Sequence, residues 1–295
     1  MEILRTIAAW RAHRAGWDER EGIGFVPTMG YLHAGHLSLV RMAREQNRRV
    51  AVSIFVNPLQ FGPHEDFAAY PRDEARDLAL LERAGVDAVF LPTPDEMYPA
   101  GFATSVTLSG PLVERLEGAR RPGHFAGVAT VVTKLFAIIQ PTVAYFGQKD
   151  AQQVAVVHRF TADLALPVRI VVCPIIREVD GLAMSSRNVY LTPPERQAAL
   201  VLRRALDAGK SAVEAGARDA EAIRAAMRAV IAAEPLAALD YADVVDPATF
   251  VPLEAVQAPM LLAIVAKVGK PRLLDNYLLR ADGTWDMGIM AEEQL

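Results

Sequence analysis

The sequence predicts an α/β protein, with a parallel sheet covered by helices on both faces in its first part and a smaller α+β domain after it. Three observations carry this. Over residues 1–174 short β-branched runs alternate with segments of helical period, the order that builds a parallel sheet. After Pro174 the order changes to two alanine- and arginine-rich helical stretches followed by three β-like runs, which reads as helices on a small antiparallel sheet. The 295 residues are 52% hydrophobic and 22% charged, enough for two modest cores in an ordinary folded chain. The predicted domains are therefore 1–174 and 175–295.

In chain order, Ile3, Leu4 and Ile7 recur at helical spacing, broken by Arg5, Trp10, Arg11 and Arg14. Residues 24–26, 50–56, 87–91, 143–146 and 168–172 read as buried strands, and 37–46, 73–84, 128–139 and 152–164 as the helices between them. In the second part, 194–213 and 220–233 read as helices and 239–245, 260–268 and 272–279 as strands. Their apolar spacing lacks sustained heptads, so packing on a sheet is expected rather than a coiled coil.

Charge and cysteine usage narrow the function. With 31 basic and 35 acidic residues the formal charge is -4, and no basic run is present, so nucleic acid is not an expected partner. Cys173 is the only cysteine, which rules out an intramolecular disulfide and a Cys-rich zinc site; at the end of an apolar run it reads as a buried, inert thiol. No apolar stretch is long enough to span a bilayer, and the arginines near Met1 exclude a secretory core. A cytoplasmic enzyme without a transit segment is the expectation.

The most informative stretch is Phe25-Val26-Pro27-Thr28-Met29-Gly30-Tyr31-Leu32-His33-Ala34-Gly35-His36. An apolar strand runs into a glycine-containing turn, and two histidines then stand at the entrance of an amphipathic helix. There imidazole N–H groups adjoin free backbone N–H groups, the helix dipole favours negative charge, and Gly35 admits a close ligand. A polyphosphate is the predicted ligand. Lys149, in the βα turn Gly147-Gln148-Lys149-Asp150, projects toward the phosphates, while Asp150 has the simpler reading of a helix N-cap. Met184-Ser185-Ser186-Arg187 combines two hydroxyls with a guanidinium, a set suited to clamping phosphate oxygens; on local sequence alone it is an exposed polar turn. Asn57 precedes Pro58, an extended arrangement expected to aim its side chain out of the strand end. Arg177 and Glu178 read either as site residues or as an ion pair at a domain interface. His13 and His158 read as structural.

These blocks, with Phe55 to Phe61, Glu65-Asp66, Tyr70-Pro71-Arg72, Arg121-Pro122-Gly123-His124-Phe125 and Asp180 to Asn188, occur in an order that resembles the pantothenate synthetase family of HxGH nucleotidyltransferases. The resemblance covers nearly the whole chain. It implies a Rossmann-like N-terminal domain binding nucleotide and pantoate, an α+β lid domain, a homodimer, and ATP-dependent joining of pantoate to β-alanine through a pantoyl adenylate. It implies His36, His33, Lys149, Ser185, Ser186 and Arg187 as catalytic residues, with His36 as proton donor. ATP contacts would come from Met29, Gly30, Tyr31, Leu32, His33, Ala34, Gly35, His36, Gly147, Gln148, Lys149, Asp150, Ile176, Met184, Ser185, Ser186 and Arg187.

For a dihydroxy acid the neutral amides of Gln60 and Gln153 satisfy a hydroxyl and a carboxylate at once, and Pro27, Met29, Phe55 and Phe61 offer an apolar wall to geminal methyls. The resemblance places Asn57 and Arg121 beside pantoate and β-alanine, while an equally weighted reading makes Arg121 a surface partner of Glu114 or Glu117. His64, Glu65, Asp66 and Tyr70 are expected to cover the cleft and contact a dimer partner. Mg²⁺ is expected because ATP enters as its magnesium complex; Asp77 and Asp150 are the nearest acidic groups, and neither is assigned as a ligand. Two other readings are an HxGH enzyme that transfers AMP to a phosphorylated acceptor and a non-catalytic nucleotide-binding regulator. The neutral Gln60 and Gln153 argue against the first, and the presence of His36, Lys149 and Arg187 against the second.

Overall fold

A computed structural model describes residues 1–18, 20–63 and 65–291, so the expectation for His64 lies outside the described residues. The chain divides into two compact units, Met1–Gly147 with Val156–Cys173, and Gln148–Ala155 with Pro174–Leu295.

The first unit holds strands β1 (Glu2–Leu4), β2 (Ile23–Thr28), β3 (Arg49–Ile54), β4 (Ala88–Phe90), β5 (Val143–Gly147) and β6 (Arg169–Cys173) in one sheet of order β1-β4-β3-β2-β5-β6. Every pairing is parallel. Helix α1 (Ile7–Arg14) follows the edge strand, so residues 2–4 are strand where helical spacing was expected. Three residues are too few for alternation to show, and β1 exists through its partner β4. Helices α2 (Ala34–Gln46), α3 (Glu74–Arg83) and α4 (His124–Ile139) fall on the predicted segments. On α2, Leu39, Val40 and Ala43 are buried and join Val26, Val50, Val52, Val89 and Tyr145 in a core. Pro27 is tolerated inside β2 because the ladder to β5 stops at Phe25, and Pro27 withholds no donor on that side. The strand order reverses between β2 and β5, and in such sheets ligand-binding loops follow the C-terminal strand ends.

Helix α5 (Ala151–Asp163) starts in the second unit and ends in the first. The second unit also contains β7 (Ile176–Arg177), helices α6 (Val201–Glu214) and α7 (Ala220–Ala232), and strands β8 (Ala237–Val245), β9 (Met260–Val268), β10 (Arg272–Leu279), β11 (Trp285–Asp286) and β12 (Ile289–Met290). β8 to β11 form an antiparallel sheet of order β11-β10-β9-β8. Leu202, Leu206, Ile223 and Met227 of α6 and α7 pack with Leu262, Ile264 and Tyr277. The single helix expected over 194–213 is two, Pro193–Ala198 and α6. At the break Leu200 N–H bonds to Gln197 and Leu202 N–H to Ala199, i to i−3 bonds that tighten the turn and restart the axis.

Candidate active site

In the first unit, the turn after β2 is set by a carboxylate from α3. Asp77, almost wholly buried, accepts the backbone N–H of Tyr31 (2.6 Å) and of Leu32 (2.8 Å). This holds Gly30 and Tyr31 at φ of 83° and 51°, where glycine is at ease and tyrosine is not. Burial raises the Asp77 pKa above the ordinary carboxylate value, and the two N–H donors partly offset the rise. A side chain considered only as a metal neighbour is thus bound to the protein backbone. Among the described residues no group of three or more His, Cys, Asp or Glu side chains could hold a metal ion.

His33 is the N-cap of α2 and His36 stands at N3. The Nδ1 of His33 accepts from Gly35 N–H (3.2 Å), and the Nδ1 of His36 accepts from His33 N–H (3.3 Å), which completes a capping box built of two imidazoles. The backbone N–H groups of His33 and Gly35 are therefore engaged by the histidines, against the expectation that they are free. The consequence is chemical: a neutral ring accepting at Nδ1 carries its proton on Nε2. Both rings, with centroids 4.1 Å apart, are fixed as Nε2–H donors.

After β3, Asn57 and Gln60 bracket the short 3-10 helix Pro58–Gln60. Asn57 has the extended backbone expected before proline, yet its side chain turns inward. It accepts from the Tyr98 hydroxyl (2.7 Å) and donates to Gln60 Oε1 (3.0 Å) and the Gly127 carbonyl (3.2 Å). Gln60 Nε2 then lies 3.4 Å from Met29 Sδ, which brings Gln60 to the end of β2. Only glycine fits at 127, since a Cβ there would sit 2.3 Å from the Leu59 carbonyl oxygen.

Arg121 pairs bidentately with Glu65, both contacts 2.7 Å, and lies 3.8 Å from Glu117; neither reading of Arg121 had singled out Glu65 as its main partner. Its Nη1 is 3.0 Å from His124 Nε2, and His124 Nδ1 is 2.9 Å from the Gln60 carbonyl. The carbonyl requires Nδ1 to donate, so Nε2 accepts from Arg121 and the ring is neutral. Burial, and then the Arg121 charge, push the His124 pKa down to about 4.

In the second unit, Lys149 occupies the 3-10 turn Gln148–Asp150, with Nζ 3.9 Å from Asp150. Ser185 caps the 3-10 turn Ser186–Tyr190, its Oγ accepting from Arg187 N–H (3.2 Å). Lys149, Ser185, Asn188 and Asp275 line one small cavity, so two of the expected phosphate-binding groups converge there. Gln153 is half-buried on the first turn of α5. The Ile176 carbonyl accepts from Met184 N–H (2.9 Å), and Arg177 bridges to Ala183, so Met184 to Arg187 extend a hairpin.

Arg177 and Glu178 do not pair with each other. They diverge: Arg177, the last residue of β7, is buried against Asp275 (2.7 Å), while Glu178, just past the strand, takes Arg196 (2.7 Å) and Asn188 (2.7 Å). Asp77, His124 and the pair Asp275-Asn276 were missed as supporting residues. Only the last had a local signal, two consecutive polar residues inside an apolar β run.

The family described as pantoate-beta-alanine ligase matches residues 2–278. A pantothenate synthetase from Herpetosiphon aurantiacus is 56% identical over 280 residues, 95% of this chain and 100% of that protein. One from Chloroflexus aggregans is 59% identical with the same coverage. A crystal structure of the Thermus thermophilus pantothenate synthetase has 50% identity and a TM-score of 0.90, covering 94% of this chain and 98% of that one. The Francisella tularensis pantoate-beta-alanine ligase, complexed with beta-gamma ATP and beta-alanine, has 33% identity and a TM-score of 0.78 over 94% and 97% of the two chains.

Proposed function

We propose a function from one premise: the chain belongs to the pantoate–β-alanine ligase family. It is an AMP-forming ligase that condenses pantoate with β-alanine at the expense of ATP, yielding pantothenate, AMP and pyrophosphate. The observation that carries the chemistry is the pair of Nε2–H donors fixed at the N-terminus of α2. Attack of the pantoate carboxylate on the α-phosphate brings two anions together, and catalysis of such a step is mostly positioning and electrostatic stabilisation. His33 and His36 donate to phosphate oxygens from one direction, with His36 as the proton donor. Lys149 and Arg187 supply positive charge, and Ser185 and Ser186 supply hydroxyls. Pantoyl adenylate then accepts the neutral amine of β-alanine, and AMP leaves.

In this reading Gln60 and Gln153 bind the hydroxyl and carboxylate of pantoate, Pro27 and Met29 face its methyls, and Asn57 acts by holding the Gln60 carboxamide. Arg121 is assigned to β-alanine, exchanging its Glu65 carboxylate for that of the substrate. The remaining nucleotide contacts are assigned to Gly30 through Gly35, Gly147, Gln148, Asp150, Ile176 and Met184. Mg²⁺ arrives with ATP as part of the substrate, since Asp77 is engaged by the backbone and Asp150 lies beside Lys149. We further propose a functional division into 1–174 and 175–295, a homodimer, and a cytoplasmic location; no helix among the described residues is long and apolar enough to cross a membrane.

Rapid-quench kinetics test the stepwise order. Enzyme mixed with MgATP and pantoate should release about one pyrophosphate per site and hold the adenylate without β-alanine, and adding β-alanine should release AMP and pantothenate together. Pyrophosphate that appears only after β-alanine is added refutes the two-step reading.

A further inference from the structure

Strand β10 reads Arg-Leu-Leu-Asp-Asn-Tyr-Leu-Leu, and its Asp275 and Asn276 are each 3% exposed. Two polar side chains buried in succession weaken a strand unless each meets specific partners. Successive residues face opposite sides of a sheet, so the two serve different elements. Asp275 receives Arg177 through two bonds, Nη1 at 2.7 Å and Nη2 at 2.9 Å, and Arg177 also donates to the Gly181 and Met287 carbonyls. That side secures the hairpin leading to Ser185. On the other side, the Asn276 carboxamide uses both donors and its oxygen: Nδ2 donates to the Gln148 carbonyl (3.1 Å) and the Lys149 carbonyl (2.9 Å), while Oδ1 accepts from Gln148 Nε2 (3.2 Å).

We propose that Asn276 is a positioning residue for the reaction: it fixes the backbone of Gln148 and Lys149, and so the point and direction from which the Lys149 side chain leaves the chain beside the cavity it lines with Ser185. The proposal rests on the reading of Lys149 as a phosphate-binding group. The chemistry at 276 is selective. Both carbonyls need donors, which a carboxamide supplies from one nitrogen and an aspartate of the same shape cannot. A lysine side chain is a charge on a flexible four-carbon stem, so the Cα–Cβ direction that the backbone sets limits which positions the ammonium can reach. A displacement of about 1 Å in such a group costs up to roughly a hundredfold in rate.

The test is a double-mutant cycle on pyrophosphate release from MgATP and pantoate, with Asn276→Asp, Lys149→Ala and the double variant, each checked by thermal unfolding. Asn276→Asp should slow release about tenfold to a hundredfold and leave the KM for pantoate within about twofold. If Asn276 acts through Lys149, adding Asn276→Asp to Lys149→Ala should slow release by less than about twofold more, because the group it positions is gone. Effects that multiply in the double variant, or an Asn276→Asp rate within twofold of the parent, overturn the proposal. A Lys149→Ala enzyme with the parent rate overturns the reading of Lys149 itself, and is told apart because that single variant reports it alone. Should Asn276→Asp not fold, Asn276→Ser keeps one donor for the two carbonyls, and the same non-additivity decides.

Discussion

Acidification should destabilise the protein through one identifiable side chain, His124. The residue is 7% exposed, and its ring donates from Nδ1 to the Gln60 carbonyl and accepts at Nε2 from Arg121. A second proton has only Nε2 to go to, where it faces the guanidinium at 3.0 Å. Glu65 and Glu117 lie near and favour the proton, but burial and Arg121 prevail, and the pKa stands at about 4 against 6.5 for an ordinary histidine. A folded-state pKa below the unfolded one means that the stability contribution is complete above pH 6.5 and is lost as pH falls toward 4. Over that window the linkage amounts to about 3 kcal/mol. His124→Gln keeps a donor and an acceptor of similar reach and removes the titration. Urea unfolding of both proteins from pH 7 to pH 4 should show the parent losing about 3 kcal/mol more than the variant, with the titrating groups common to both cancelling in the difference. Curves that stay parallel within about 0.5 kcal/mol would refute the neutral, buried tautomer, because a flat difference means that the ring takes up its second proton equally in the folded and unfolded chain.

Four further outcomes are expected. Asp77→Asn keeps an acceptor for only one of the Tyr31 and Leu32 N–H groups; loss of a charge-assisted bond at about 2–3 kcal/mol should lower Tm by roughly 4–12 °C and slow adenylate formation, and an unchanged Tm would detach Asp77 from the turn. His36→Ala should fold, with a loss of about 1 kcal/mol from the helix cap, and should slow pyrophosphate release about a hundredfold in a pre-steady-state assay. Gln153→Ala should weaken pantoate about tenfold while ATP binding barely changes, and equal weakening in calorimetry removes Gln153 from the acceptor site. Burial pushes the Cys173 thiol up to about 11, so a thiol reagent at pH 8 should label it only after unfolding; rapid labelling of the native protein contradicts its place in the core.

What the sequence conveyed followed the range of the interactions involved. The parallel sheet and most helices were legible because their cores are periodic in sequence, as in Leu39, Val40 and Ala43 against the β-branched strands. The edge strand β1 was not, since only pairing with β4, more than eighty residues away, makes it a strand. The same limit applied to the site. His33 and His36 could be picked out by residue type in local context, and Lys149 and Ser185 through the family resemblance of their blocks, but their supports come from afar: Asp77 lies 45 or 46 positions from the N–H groups it accepts, and Asn276 lies 127 from Lys149. Asn57 shows how a correct local inference misleads. The following proline set its backbone as expected, and Tyr98, 41 positions on, decided where its side chain went.

The spacing of the two histidines also has a physical reason that precedes any ligand. N-cap and N3 are the two positions whose side chains close a capping box, and they are three residues apart, as His33 and His36 are. Most boxes use a hydroxyl and a glutamate. A glutamate at 36 would cap the helix but set a negative charge where the proposed function has anionic phosphates received, and a lysine would bring the right charge but no acceptor for the His33 N–H. Imidazole accepts through one nitrogen and donates through the other. A glutamine would also accept and donate, but only imidazole among these does so with a group that can give up and take back a proton near neutral pH. The bonds that begin the helix therefore also fix the tautomer, so in the proposed reaction the Nε2–H donors are oriented by folding and need no reorganisation.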